Sequence, residues 1–105
     1  MPKRHRSFDD ELAQKFEKLD FAQQYLIGLS QEEDISLEDA LRHTVKAMGL
    51  LEFSERSGLS IQAVSDFVSN RAKWSTDKII KKIYIVFKLN VKFSLEKATT
   101  KKSIS

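Results

Sequence analysis

Gln62, Ser65, Asp66 and Ser69 lie three, one and three residues apart, so a helix through them carries all four on one face. These side chains offer both hydrogen-bond donors and acceptors, which is the chemistry that reads base-pair edges in a DNA groove. Gln62 suits a bidentate contact to adenine, worth about 1–3 kcal/mol of discrimination. Ser65 and Ser69 suit base edges or phosphates. Asp66 fits less simply, because a carboxylate among phosphates is repelled. It suits either acceptance from cytosine N4 or the orientation of a neighbouring side chain. Ser60 and Ile61 lead the same segment and would enter a groove first. Asn70, Arg71 and Lys73 follow it, and Lys78, Lys81 and Lys82 come next, all placed for phosphate contact. The competing reading of each of these residues is an ordinary solvated surface.

Other chemistries lack their parts. There is no cysteine, and the two histidines, His5 and His43, are far apart, so no metal site is expected. No Ser/His/Asp set, Gly-rich phosphate loop or framed carboxylate pair occurs, and neither an enzyme nor a cofactor is expected. Absence of cysteine excludes disulfides and suits a reducing cytoplasm. No apolar run approaches the roughly 20 residues that span a bilayer. Lys3, Arg4 and Arg6 are followed by no apolar stretch, which speaks against a secretory signal.

Charge is unevenly spread. Residues 7–70 carry five basic and thirteen acidic side chains, whereas residues 71–105 carry ten basic and two acidic. The net charge of +3 therefore hides a basic C-terminal third that suits a phosphate backbone. A solvated helix face with a basic tail accounts for the same pattern.

The elements that must hold the polar face are helical. Pro occurs once, at position 2, and Gly only at 28, 49 and 58. Helices are predicted from about Asp9 to Leu19, Asp20 to Gln31, Leu37 to Met48, Leu50 to Ser57, Ser60 to Asn70, and Ser75 or Thr76 to Leu89. Gly28 leaves the first break open. Ser36-Leu37-Glu38-Asp39 has the form of a capping box, Gly49 is placed as a C-cap, and Asn90 as a stop. Trp74 is read as core rather than as a platform behind a phosphate contact. Val91, Phe93 and Leu95 alternate with polar residues, which predicts a short closing strand that pairs with a second copy of the chain. The chain thus divides into a basic arm over residues 1–8, one domain over 9–96 and a basic tail over 97–105.

Two helices joined by a tight turn make specific demands. A small residue is needed where the axes approach, a Gly must take the positive φ of the turn, and two apolar residues on the second helix must return to the core. Ser54, Gly58, and Val64 with Phe67 meet these demands, with Leu59 directly after the turn. The opposite face is the polar set described above, which predicts a helix-turn-helix rather than a plain helical hairpin.

The stretch from Phe53 to Phe67 resembles the phage repressor/Cro-like helix-turn-helix superfamily (the XRE type). Asp20-Phe21-Ala22-Gln23-Gln24-Tyr25-Leu26 is similar to the "DPEFAAEYL" opening of addiction-module antidote proteins. Ala40-Leu41-Arg42 and Ala47-Met48-Gly49 resemble their next helix, and Val91-Lys92-Phe93-Ser94 their closing strand. Together these segments span residues 20–96. The resemblance implies an all-α fold of five or so helices with a repressor-like helix-turn-helix and a short C-terminal β-strand. It also implies a homodimeric regulator of double-stranded DNA, with neutralisation of a toxin protein as the antidote form of that function. The alternative from another class is a protein–protein module whose acidic 7–70 region binds a basic partner without DNA.

Overall fold

Capping residues set most of the helix boundaries. The computed structural model describes residues 8–92. Six helices run α1 (Phe8–Lys15), α2 (Leu19–Ser30), α3 (Leu37–Met48), α4 (Leu50–Ser57), α5 (Ile61–Val68) and α6 (Thr76–Phe87). Three of them start on a serine whose hydroxyl accepts from the backbone N–H three residues on. Ser36 accepts from Asp39, Ser60 from Ala63 and Ser75 from Lys78, each at 3.1 Å. These bonds satisfy N–H groups that the first turn of a helix leaves without partners.

Two glycines join α3, α4 and α5. Gly49 is the whole α3–α4 connection. Its N–H bonds back to the Val45 carbonyl at 2.9 Å and its carbonyl accepts from Phe53 at 3.1 Å, at φ 107° and ψ 136°. Gly58 ends α4 at φ 78° and ψ 10°, with its N–H on the Ser54 carbonyl. A Cβ at Gly58 would meet no atom within 4 Å, so backbone strain alone penalises a side chain there. Gly58→Ala is expected to cost about 1 kcal/mol, read in urea as a lower midpoint at unchanged slope; an unchanged midpoint would contradict the strained turn.

Helix α3 is the hub and packs against each of the other five. Its Ala40, Leu41, Thr44, Val45 and Met48 are buried, and the Thr44 hydroxyl is satisfied by the Ala40 carbonyl at 2.8 Å. Around them lie Phe16, Leu26, Phe53, Val64, Phe67, Trp74, Ile83 and Phe87. Trp74 belongs to this core, as expected.

Several boundaries differ from expectation. Helix α1 stops at Lys15 rather than Leu19, because Phe16 turns fully into the core and meets Phe21 and Tyr25 edge-on at 5.1 and 5.0 Å. Gly28 does not interrupt α2. Helix α6 stops at Phe87 rather than Leu89, and Lys88, not Asn90, is the left-handed residue at φ 56°. The Gln23 amide closes that end by donating to the Phe87 carbonyl at 2.9 Å.

No strand occurs among the described residues, which include only the first two positions of the expected closing strand, Val91 and Lys92. Val91 is partly buried against the core and lines a hollow with Leu26, Leu37 and Leu89. Phe93 and Leu95, and with them most of that strand, lie outside the described residues, as do the basic arm up to Ser7 and the tail. No helix among the described residues is long and apolar enough to cross a membrane.

Candidate nucleic-acid interface

The hydroxyl of Ser54, the small residue on α4, donates to the Leu59 carbonyl at 2.6 Å across the turn. Ser57 is buried, and its Oγ accepts from the Leu59 N–H at 3.3 Å. Lys82 of α6 donates to the Ser57 carbonyl at 3.1 Å, a cation placed where the α4 dipole is negative. The turn that aims α5 is therefore closed by two serines, one glycine and one lysine.

Val64 and Phe67 of α5 are fully buried, as the spacing from Gly58 predicts. The Phe67 ring stacks on Trp74 with centroids 3.9 Å apart and planes 9° apart. The Arg42 guanidinium lies over the same ring at 4.7 Å. The opposite face of α5 is open to solvent. Ile61 is 48% exposed at its leading end, Gln62 and Ser60 are exposed, and Ser65 and Asp66 are half-buried. A helix with its side chains is about 10–12 Å across, which a major groove about 12 Å wide admits.

The far end of α5 is closed by a left-handed residue. Asn70, at φ 67°, donates its N–H to the Phe67 carbonyl at 3.1 Å, and the Arg71 N–H bonds to the Asp66 carbonyl at 2.8 Å. This pair of bonds is a common helix ending, and Asn is the usual substitute for Gly in it. Arg42 reinforces it: Nε donates to the Phe67 carbonyl at 2.8 Å and Nη2 to the Asn70 side-chain oxygen at 3.3 Å. The same guanidinium pairs with Glu38 at 2.8 Å and Asp39 at 2.6 Å.

The sequence-predicted residues thus divide. Ile61 and Gln62 are exposed on the leading turn, and the Gln62 amide reaches back along the helix to Asp66. Ser60 accepts the Ala63 N–H as the N-cap, and Ser69 donates its hydroxyl back to the Ser65 carbonyl at 2.9 Å. Asp66 lies within the polar face, and one of its oxygens accepts from Gln62 at 3.0 Å and from Arg71 at 3.1 and 3.2 Å. Among the phosphate candidates, Asn70 is held by Arg42, Arg71 by Asp66, and the Lys78 ammonium sits 4.8 Å over the Trp74 ring. Lys73 and Lys81 are exposed. No group of His, Cys, Asp and Glu among the described residues is placed to hold a metal ion.

The chain matches no protein-family model, no curated protein and no solved structure.

One contributor, Arg42, escaped the sequence reading of the site, and a second, Lys82, was expected beside Lys78 and Lys81 at a phosphate backbone. Arg42 sits three and four residues after Asp39 and Glu38, a spacing that signals a surface ion pair and nothing more. Its reach to residues 67 and 70 exists only in the folded chain. Lys82 resembles Lys78 and Lys81 in sequence, yet it faces the α4 terminus instead of solvent.

Proposed function

We propose that this chain is a sequence-specific DNA-binding transcriptional regulator of the repressor type, acting in the cytoplasm as a homodimer. The observation that carries the reading is α5 itself. A short helix is aimed by a rigid glycine turn and anchored by Val64 and Phe67, and its outer face bears Gln62, Ser65 and Asp66 behind an exposed Ile61. A half-exposed isoleucine at the leading end of a polar face has a direct use in a groove, against a thymine methyl.

One eight-residue helix touches few base pairs. Two copies on half-sites about 34 Å apart square the discrimination, which is the physical reason for the dimer. Tyr84 and Ile85 on α6 are exposed, 54% and 42%, and supply apolar area outside the α5 face. Neutralisation of a toxin protein is the antidote form of the same proposal and rests on the resemblance of residues 20–96. Co-expression with the product of the adjacent gene, and recovery of a stoichiometric complex, is the test of that part.

A mobility-shift titration on the DNA flanking the gene tests the core of the proposal. Retention at low salt, falling steeply as salt rises, is expected; no retention at low salt refutes it. Lys73 is exposed directly behind α5, so Lys73→Ala is expected to weaken binding to all sequences and to lower the salt slope by about 0.9 per subunit. An unchanged slope would remove Lys73 from the phosphate contacts.

A further inference from the structure

The Asp66 carboxylate looks misplaced on a face meant for DNA, and its partners explain it. Oδ1 accepts from Gln62 Nε2 at 3.0 Å and from Arg71 Nε and Nη2 at 3.2 and 3.1 Å. All three side chains belong to one surface, at the leading turn of α5, its middle and the residue after its cap. An ionised carboxylate only accepts, so the Gln62 amide has to turn its NH2 group inward. The amide oxygen is left pointing away from Asp66.

We propose that Asp66 is a specificity-determining positioning residue: it locks the Gln62 amide with its oxygen outward, so that the site selects adenine and rejects guanine at the base pair Gln62 meets. This rests on the DNA-binding reading above. Adenine presents an N6 amino donor beside the N7 acceptor in the major groove, and guanine presents acceptors only, at O6 and N7. An outward oxygen takes the N6 donor, and the second amide N–H remains for N7. A glutamine free to flip would offer its NH2 group to both acceptors of guanine. Arg71 completes the device by neutralising the carboxylate beside the phosphates. The Asp66 backbone carbonyl, which accepts from Arg71 and Ala72 at 2.8 and 3.1 Å, keeps the chain end in place independently of the side chain.

The test is selection from a randomised duplex library by the full-length protein, followed by affinities for the selected site and for its guanine variant at each adenine. Wild type is expected to hold one position at which adenine is preferred, with the preference lost in Gln62→Ala. Asp66→Asn, whose amide meets Gln62 in either orientation, is expected to lower the adenine-over-guanine ratio there about tenfold. Loss of the negative charge frees Arg71 for phosphates, so the variant's affinity for unrelated DNA at low salt is expected to rise, and its thermal transition should remain cooperative. Arg71→Ala retains the carboxylate and is expected to retain the ratio while losing affinity overall. An unchanged ratio in Asp66→Asn overturns the proposal and leaves DNA binding intact, as does an equal loss for every sequence. Failure of the wild type to enrich any sequence overturns the DNA-binding reading itself.

Discussion

Phe67→Ala is expected to remove about 3–5 kcal/mol of folding stability. The ring is fully buried, stacks on Trp74 at 3.9 Å and carries the Arg42 guanidinium at 4.7 Å, so truncation leaves a cavity walled by an aromatic plane and a cation. Neither wall collapses easily. Trp74 also packs near Phe53, with centroids 6.4 Å apart, and Arg42 is held by Glu38, Asp39 and the Phe67 carbonyl. Domains of this size hold about 5–15 kcal/mol in total. The change therefore takes a large share, seen as a melting transition lowered by about 15 °C or more. Ile61→Ala, six residues earlier on the same helix, is the matched control. Ile61 is half exposed, and its loss is expected to move stability by no more than about 0.5 kcal/mol. Circular dichroism melts of the two variants decide the matter: similar shifts would mean that α5 does not present the faces described.

Arg42→Ala is the second large effect, expected at about 2–3 kcal/mol, since bonds to charged groups are worth roughly 1.5–3 kcal/mol and several go at once. The Arg42 side chain is only 14% exposed, so solvent does little to replace the lost bonds. Glu38 and Asp39 are left as adjacent acids without their cation, and the Asn70 side chain loses its donor. Arg42→Lys is expected to restore less than half, because an ammonium cannot reach a carbonyl, two carboxylates and an amide in one plane. DNA affinity should fall with stability although Arg42 belongs to α3, since the loop bearing Arg71 and Lys73 hangs from the turn it braces. Urea unfolding read alongside the mobility shift checks both halves. A variant that loses affinity at full stability would instead place Arg42 against DNA.

How much of this was legible before folding depends on the range of the interaction concerned. Ser36, Ser60 and Ser75 cap helices through bonds three residues long, and Gly49 and Gly58 meet a backbone demand within their own residue. Spacing places Val64 and Phe67 inward and Gln62 outward, because helical periodicity alone decides which residues share a face. All of these could be read from the chain. Boundaries were less legible where a tertiary gain overrides local preference. Phe16 leaves α1 to be buried among Phe21 and Tyr25, and α6 ends where Gln23, 64 residues away in sequence, accommodates its last carbonyl.

The helix-turn-helix around Gly58 is thus a local inference, made of caps, a turn and a period of 3.6 residues. What the charged side chains do is not local. Arg42, Arg71, Lys78 and Lys82 are all simply basic in sequence. In the fold one braces a helix end, one neutralises Asp66, one lies over Trp74 and one caps α4. Long flexible side chains reach partners chosen by how helices pack, and no spacing rule encodes that choice. The alternation at Val91 shows the same limit, because period two states that one face is buried without stating against what. Val91, the one apolar residue of that run among the described residues, is partly buried against the core that α3 centres.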